Sequence, residues 1–377
     1  MSEPDHRPDR PDRPASSPGR PGPASPGRSA DLGRPAPANL GRPADQLGSA
    51  APGRLADQPS PAAPDCPAPA APDCPAPAAP GRRPGRLGVG VVSAGKVGAV
   101  LGSALRAVDH QVIGVHAVSQ ASRERAETLL PGVPRLEVEE ILERCELVLL
   151  AVPDDALAPL VRGLADLGRW QAGQIVVHTS GRYGVRVLEP AARCGAIPLA
   201  VHPAMTFSGM SMDLPRLVGC PMAVTAPAVA LPIAQALAVE LGGEPFVLEE
   251  SARPAYHAAL THGANHLVTL VGQAVRVLAA AGVDDGGQVL RPLLTAALER
   301  ALSEGADAAL TGPVARGDAG TVRVHLDTLA GLDDGTGTGL GDVVESYRVL
   351  ARATLERRVG RLGPEQAAAL REVLGDC

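Results

Sequence analysis

Residues 87–105 read LGVGVVSAGKVGAVLGSAL, in which an apolar run leads into a glycine-rich turn and then into a second apolar run. Leu87–Val92 has the length and the valine content of a short buried strand. Gly95 and Gly98 mark a tight turn, and the apolar residues after it predict a helix to about Ala107. A strand, a glycine turn and a helix in this order open a βαβ unit.

The alternation of strand and helix patterns continues for about 160 residues. Further strands are predicted at Gln111–His116, Glu146–Val152, Gln174–His178, Ile197–His202, Met222–Thr225 and Phe246–Leu248, with a helix at Glu137–Arg144. After Glu250 the pattern is helical, with predicted helices at Pro254–Ala281, Gln288–Ser303, Asp318–Leu329, Val343–Val359 and Pro364–Leu374 and a glycine-rich loop at 333–342. We therefore predict an α/β fold with a Rossmann-type, mostly parallel sheet followed by an all-helical C-terminal domain.

The first 86 residues differ in composition from the rest of the chain. They hold 22 of the 38 prolines, and no Phe, Trp or Tyr precedes Trp170. Such a segment buries too little apolar surface to offset the entropy of ordering its backbone, so we predict a disordered N-terminal tail. The predicted boundaries are 1–86 for the tail, 87–250 for the sheet domain and 251–377 for the helical domain.

Charge and composition exclude several classes of protein. Beyond residue 86 the chain carries 24 basic and 32 acidic residues, an acidic balance that argues against a nucleic-acid partner. No run of about 18 apolar residues predicts a membrane span, and the N-terminus lacks the apolar segment of a secretory signal. The six cysteines show no metal-ligand spacing and fit a reducing compartment, so we expect a cytoplasmic protein.

The glycine turn is the strongest candidate for a binding site. A turn between a strand and a helix presents backbone N–H groups and the positive helix end to a pyrophosphate. The candidate cofactor-binding residues of this turn are Ser93, Ala94, Gly95, Lys96, Val97 and Gly98. Ser93 stands where the first glycine of GxGxxG usually lies, which reduces its φ/ψ freedom. We predict dinucleotide binding; a glycine turn with only a structural role is the alternative.

The end of the second predicted strand bears on which dinucleotide is bound. An NAD site usually has Asp or Glu there, but this strand is followed by no carboxylate. Ser119, Ser122 and Arg123 instead offer donors to a 2′-phosphate, with Arg123 supplying the charge. The sequence favours NADP, with NAD possible. Alternatively, the two serines only cap the following helix.

Polar residues follow three other predicted strands. Val152, Pro153 and Asp154 end one strand, Ser180 follows the next, and His202 ends the one after it. Because the carboxyl ends of parallel strands meet at one edge of a sheet, these residues are expected to line a ligand cleft. The first three are predicted to lie near the nicotinamide ribose, although Asp154 also suits a helix N-cap.

Two further clusters lie in the helical region. His262 and His266 are four residues apart on one predicted helix, with Asn265 beside them. Three interpretations fit this pair of histidines: contact with substrate, a structural hydrogen bond, or a pair of zinc ligands. Because no third ligand and no HExxH pattern accompany them, no metal is predicted. Arg316 precedes another helix and suits a substrate carboxylate; a helix-flanking charge is its alternative role.

These segments together resemble a known family. The runs VGVVSAGKVGAVLGSAL, LLAVPDDAL, VVHTSG, LAVHPAMTF, YHAALTHGANHLVTL and LTGPVARGDAGTVRVHL, within about residues 87–360, are similar to Rossmann-like oxidoreductases whose helical C-terminal domain has no known function. That family is related to ketopantoate reductases, pyrroline-5-carboxylate reductases and deazaflavin-dependent NADP reductases. The resemblance implies an NAD(P)-dependent reductase, and a homodimer formed through the helical domain.

The resemblance also implies roles for single residues. Relatives among the hydroxyacid dehydrogenases carry a catalytic lysine four residues before an asparagine; Asn265 fits the asparagine, but Thr261 stands at the lysine position. Lys96 is the only lysine in the chain, so a lysine-assisted mechanism is unavailable. Ser180 resembles the substrate-binding serine of that group.

The predicted activity is NADPH-dependent reduction of a small 2-oxo acid, with ketopantoate as the most concrete substrate. Arg316 would hold the substrate carboxylate, Asn265 and Ser180 would orient the carbonyl, and His262 or His202 would supply the proton. An imine reductase of the pyrroline-5-carboxylate type and a non-catalytic NADP-binding regulator are the alternatives.

Overall fold

The computed structural model describes residues 86–332 and 339–375. The predicted disordered tail up to residue 85, and residues 333–338 of the predicted glycine-rich loop, lie outside the described residues. Every residue that is described belongs to one structural unit.

Seven strands form a single sheet. They are β1 (Gly88–Val92), β2 (Gln111–His116), β3 (Leu147–Leu150), β4 (Ile175–His178), β5 (Ile197–Pro203), β6 (Pro221–Thr225) and β7 (Glu244–Val247). Their order is β2-β1-β3-β4-β5-β6-β7; the strands from β2 to β5 run parallel, β6 is antiparallel to β5, and β7 is parallel to β6. The predicted mostly parallel sheet is confirmed, and the carboxyl ends of β1 to β5 share one edge.

Helices connect the strands and dominate the region after β7. They are α1 (Lys96–Ala107), α2 (Gln120–Leu129), α3 (Val138–Arg144), α4 (Asp154–Asp166), α5 (Glu189–Arg193), α6 (Leu214–Leu217), α7 (Leu231–Glu240), α8 (Arg253–Leu260), α9 (His266–Ala280), α10 (Gly286–Glu304), α11 (Ala306–Ala309), α12 (Pro313–Arg316), α13 (Ala319–Gly331), α14 (Gly341–Arg358) and α15 (Pro364–Leu374). None of these is both long enough and apolar enough to cross a lipid bilayer.

Two apolar clusters sandwich the sheet. Val91 and Leu149 belong to the cluster on one face, whereas Val148 and Leu150 belong to the cluster on the other. Successive side chains of a strand point to opposite faces, so a strand covered on both sides is apolar throughout. This is why Leu147–Leu150 shows no alternation of polar and apolar residues, and why it is buried along its whole length.

The helical region has a separate core. Its largest cluster joins α12, α13, α14 and α15 through Val314, Leu326, Leu355 and Leu370. The sequence predicted one continuous helix over Pro254–Ala281, and this is wrong in one respect: a π-helical turn at Thr261–Asn265 separates α8 from α9. Gly263 lies in that turn, where its low helix propensity and missing side chain tolerate a widened turn.

Candidate active site

The glycine turn after β1 is held in a strained conformation. Ser93 has a φ of 78°, in the left-handed region that favours glycine. The Ala94 N–H donates to the His116 carbonyl at 3.0 Å, which ties the turn to the end of β2. A Cβ on Gly98 would lie 2.1 Å from the Ser93 carbonyl oxygen and 2.9 Å from Ala151 Cβ. Gly98 therefore allows the start of α1 to pack directly on the turn.

The same turn leaves room for an anion at the start of α1. A Cβ on Gly95 would meet no neighbouring atom closer than 3.6 Å, so the space beside Gly95 is open. Helix α1 has no side-chain cap and no acidic residue in its first turn, and exposed Lys96 is its first residue. Uncapped N–H groups, the helix dipole and one cation suit a pyrophosphate. The residues present therefore fit a dinucleotide.

A cleft of about 380 Å³, which we call the cofactor cleft, joins this turn to the ends of three other strands. Its lining residues are Ser93, Gly95, Lys96, Val97, Ala151, Val152, Pro153, Asp154, Thr179, Ser180, Gly181, His202 and His257. Most of the cofactor-binding candidates and two of the catalytic candidates, Ser180 and His202, thus share one cleft. Ala94 and Gly98 do not line the cleft but support the glycine turn, Ala94 through its hydrogen bond to the His116 carbonyl and Gly98 through its packing against the turn.

The loop after β4 is shaped by a buried histidine. His178 is fully buried, its Nε2 lies 2.8 Å from the Gly184 carbonyl oxygen, and its Nδ1 accepts from the Ser180 N–H at 3.2 Å. Burial lowers the pKa of His178 to about 4, so the ring is neutral and carries its proton on Nε2. Ser180 Oγ accepts from the backbone N–H groups of Arg182 and Tyr183, which leaves its own hydrogen for a ligand.

His202 is paired with a tyrosine from the first helix of the C-terminal region. Its Nδ1 lies 2.9 Å from Tyr256 Oη, and the two rings meet edge to face. A Cβ on Gly181 would lie 2.9 Å from His202 Nε2, so only a glycine lets this nitrogen approach the loop at the cleft. Burial, then the charges of Arg253 and His257, lower the pKa of His202 to about 4. His202 is therefore a neutral imidazole at neutral pH.

Arg253 is a fully buried cation behind the cleft. Its guanidinium donates to Thr225 Oγ1 and to the carbonyl oxygens of Ser180, Ala200 and Ala223, at 2.9 to 3.1 Å. All four acceptors are neutral, and burial lowers the pKa of Arg253 to about 10. The side chain fixes the Ser180 loop, β5, β6 and α8 relative to one another.

A second, wider cavity of about 890 Å³ adjoins the cofactor cleft through Asp154 and His257, and we call it the histidine hollow. It is lined by Asp154, Arg182, Pro254, His257, Ala258, Ala259, Thr261, His262 and His266. His262 Nδ1 and His266 Nδ1 lie 3.1 Å apart, and Arg182 stacks over the Tyr183 ring at 4.7 Å. Within residues 86–332 and 339–375, no group of three or more ligating side chains is placed to hold a metal ion.

Several predicted residues lie away from the cofactor cleft. Asn265 is exposed in the π-helical turn and lines neither cavity, and Arg316 lies on α12, where α15 packs. Ser119 caps α2 by accepting from the Ser122 N–H, and the Ser122 hydroxyl donates to the Ser119 carbonyl at 2.7 Å. Arg123 lies in a separate pocket at the end of β2. The geometry of one chain therefore gives no support to a substrate role for Asn265 or Arg316.

The chain matches two family profiles, one after the other. A Rossmann-like domain matches residues 72–203, and a domain of unknown function, DUF2520, matches residues 220–354. The chain therefore matches a Rossmann-like domain followed by a DUF2520 domain. This domain combination confirms the resemblance drawn from the sequence motifs.

One solved structure supports the fold of this chain, and two others show a weaker similarity to it. A candidate NADP oxidoreductase from Bacteroides fragilis is 20% identical, with a TM-score of 0.58 over 71% of this chain and 98% of that one. A protein from Thermotoga maritima is 23% identical (TM-score 0.49, 72% and 100% covered), and a variant imine reductase from Myxococcus stipitatus in complex with NAD+ is 15% identical (TM-score 0.48, 72% and 94% covered). No curated protein sequence matches the chain.

Four residues at the two cavities are absent from the site residues that the sequence analysis assigned. Tyr256, His257, Arg182 and Arg253 each contact or line the site. Tyr256 and His257 lie in the quoted run YHAALTHGANHLVTL, but only the fold shows that this run meets the end of β5. Arg182 directly follows Ser180 and Gly181 in the sequence, and this adjacency to a predicted substrate-binding serine was the sequence feature that could have pointed to Arg182.

Proposed function

We propose that this protein is an NAD(P)H-dependent oxidoreductase that reduces the C=O group of a small 2-oxo acid, with NADP(H) as the preferred cofactor. The observation that carries the proposal is the cofactor cleft, in which the phosphate-binding turn and His202 face the same space. When bound, the nicotinamide cofactor supplies the hydride. The remaining requirements are a proton donor and an anchor for the substrate carboxylate.

His202 is the proton donor in this proposal. With Nδ1 accepting from Tyr256, the neutral ring carries its hydrogen on Nε2, beside the cleft. Nε2–H would donate its proton to the carbonyl oxygen of the substrate while Nδ1 takes the Tyr256 hydroxyl proton. After the product leaves, Nε2 takes a proton from water and Nδ1 returns its proton to the Tyr256 oxygen, which restores the starting protonation state. A neutral imidazole is an effective donor when its pKa has been lowered by its surroundings.

Arg182 is the anchor for the substrate carboxylate. It lines the histidine hollow, which adjoins the cofactor cleft, and a guanidinium matches a carboxylate in bidentate fashion. Stacking on Tyr183 restricts the orientation of its planar head. Ser180 donates its free hydroxyl hydrogen to the carbonyl oxygen. Ketopantoate, a branched 2-oxo acid, is the first substrate to test.

The test is oxidation of NADPH by the full-length protein with ketopantoate, a panel of 2-oxo acids, and a panel of cyclic imines including pyrroline-5-carboxylate. We expect turnover with a 2-oxo acid. Turnover restricted to cyclic imines would overturn the carbonyl assignment in favour of an imine reductase. Dinucleotide binding without turnover on either panel would favour a non-catalytic NADP-binding protein.

The proton donor is tested with His202→Asn, which removes Nε2. The expected result is a fall in kcat of about 10² to 10⁴, the usual contribution of a general acid, with dinucleotide affinity unchanged. His325→Asn is the matched control and retains kcat, because His325 Nδ1 also lies beside a tyrosine hydroxyl, that of Tyr347 at 2.8 Å, but the residue lines neither the cofactor cleft nor the histidine hollow. Because the pKa of His202 is about 4, its ring is neutral throughout the range from about pH 5 to about pH 7, and kcat should stay constant over this range. An imidazolium donor would instead lose its proton as the pH rises, and kcat would fall.

A further inference from the structure

Three histidines line the histidine hollow, and the proposed function uses none of them. His257 lies on α8, His262 lies in the π-helical turn, and His266 is the first residue of α9. The charged side chains of the hollow are Arg182 and Asp154. The hollow therefore holds more hydrogen-bonding groups than one carboxylate anchored by Arg182 requires.

The π-helical turn brings these histidines to one cavity. In a regular α-helix, residues nine positions apart, such as His257 and His266, point to opposite sides, because nine residues make about two and a half turns. The turn at Thr261–Asn265 is wider, because the N–H of residue i+5 donates to the carbonyl of residue i, so it takes up one additional residue. The face of α9 that carries His266 is thereby rotated toward the cavity that His257 lines. Such turns are rare and occur frequently at functional sites.

His262 and His266 form a hydrogen-bonded pair that leaves both Nε2 atoms for a ligand. Their Nδ1 atoms lie 3.1 Å apart, so one Nδ1 carries the hydrogen that the other accepts. The neutral pair then has one Nε2–H donor and one Nε2 without hydrogen. Within residues 86–332 and 339–375, neither Nε2 has a hydrogen-bond partner, and both side chains are exposed. Uptake of one proton from water gives the pair two Nε2–H donors and one positive charge.

We propose that the histidine hollow binds a second carboxylate of the substrate, so that the substrate is a 2-oxo acid with a carboxylate at each end. This inference rests on the proposed function and narrows its substrate class. Arg182 holds the carboxylate beside the reacting carbonyl, and the protonated pair of His262 and His266 donates from both Nε2 atoms to the second carboxylate. His257 lies where the hollow meets the cofactor cleft, beside the chain that joins the two acid groups.

The charges of the hollow favour a carboxylate over a phosphate as the second group. Arg182 and the protonated pair contribute one positive charge each, which matches the two negative charges of a dicarboxylate. Asp154, the one acid of the hollow, lies where it meets the cofactor cleft. A phosphate monoester carries a charge near −2 at neutral pH, so it would leave negative charge unpaired in a cavity that already contains Asp154.

The test compares two 2-oxo acids of equal chain length, 2-oxoglutarate, which has a second carboxylate, and 2-oxopentanoate, which ends in a methyl group. Each is titrated into the full-length protein in a calorimeter, in the presence of NADP+, which cannot deliver a hydride. We expect 2-oxoglutarate to bind about 10-fold to 100-fold more tightly, through hydrogen bonds between charged groups. At about pH 7.5, where a free imidazole is mostly neutral, its binding should take up about one proton. Repeating the titration in buffers of different ionisation enthalpy measures this uptake.

The double variant His262→Asn/His266→Asn removes both Nε2 atoms. It is expected to lose the preference for 2-oxoglutarate and the proton uptake, while its affinity for 2-oxopentanoate stays unchanged. His325→Asn is the matched control and retains both properties, because His325 lines neither cavity. The proton uptake of the native protein tests the pair without any substitution.

The outcomes separate this inference from the proposed function. If the native protein binds the two acids equally, or binds 2-oxoglutarate without taking up a proton, the second carboxylate site is overturned, while NADPH oxidation by other 2-oxo acids leaves the proposed function standing. A preference for 2-oxoglutarate that persists in the double variant overturns the role of the pair. If 2-oxoglutarate binds as expected but no 2-oxo acid oxidises NADPH, the proposed function fails and the hollow stands as a dicarboxylate site.

Discussion

Ser93 occupies a conformation that a non-glycine residue adopts at a cost. A left-handed φ costs an L-residue about 1–2 kcal/mol, whereas glycine adopts it freely but loses more chain entropy on folding. Ser93→Gly is therefore expected to raise the free energy of unfolding by about 0 to 1 kcal/mol in urea titrations. Ser103→Gly, within α1, is the control and lowers it by about 0.5 kcal/mol. Equal destabilisation by both variants would contradict strain at Ser93.

Glycine is required at positions 95 and 98 for different reasons, one for cofactor binding and the other for packing. Gly95→Ala adds a methyl group into open space, so the free energy of unfolding should stay nearly unchanged. The affinity for NADPH should fall about 10-fold or more, because the methyl group keeps the pyrophosphate from approaching the backbone of the turn. Gly98→Ala forces a contact with the Ser93 carbonyl and should destabilise the protein by about 1–3 kcal/mol. Urea unfolding and calorimetry with NADPH distinguish the two. Unaltered NADPH affinity in folded Gly95→Ala would remove the turn from the cofactor site.

The loop after β4 gives the protein a pH-dependent stability at the level of a structural element. The pKa of His178 is lowered from 6.5 to about 4 by burial, so the unfolded chain binds more protons between these values. Stability is then fully present above about pH 6.5 and is lost as pH falls towards about 4. Protonation of Nδ1 also removes the acceptor of the Ser180 N–H.

His178→Gln tests this dependence. Its amide keeps a donor near the Gly184 carbonyl but does not titrate, so the decline of the free energy of unfolding between about pH 6.5 and about pH 4 should become shallower. His202, whose pKa is lowered in the same direction, leaves a residual slope in this variant. An identical slope in the native and His178→Gln proteins would contradict the assignment.

Secondary-structure elements were predicted from the sequence more successfully than the tertiary contacts between them. β1, β3 and the glycine turn follow from local apolar pattern and turn chemistry, which act within a few residues. The meeting of Tyr256 with His202 spans 54 positions, and the isolated parallel β-bridge of Arg135 to Val115 depends on an edge strand being free. Neither has a local signal. The π-helical turn was missed because Gly263 alone does not distinguish it from a regular helix.

The molecule as a whole leaves two long helices poorly covered. Among residues of α9 and α10 only Gln273 and Gly286 are buried, while Val289, Leu293 and Leu302 are 55%, 65% and 79% exposed. An apolar cavity of about 760 Å³ runs between these helices and α12 to α14. Helices of this length are stabilised mainly by packing, and exposed apolar patches of this kind mark interaction sites. A second copy of the chain is the partner that we predict.

The predicted homodimer is tested by light scattering coupled to size-exclusion chromatography. The native protein should elute with twice the mass of one chain, and the double variant Leu293→Asp/Leu302→Asp should shift to the monomer, because each carboxylate would need to be desolvated at the interface. Val229→Asp is the control, since Val229 is 91% exposed in the loop before α7 and lies outside α9 and α10. A native monomer, or a double variant that still dimerises, would place the interface elsewhere or remove it. Dissociation without loss of NADPH affinity would further show that the cofactor cleft is complete within one chain, as its lining residues imply.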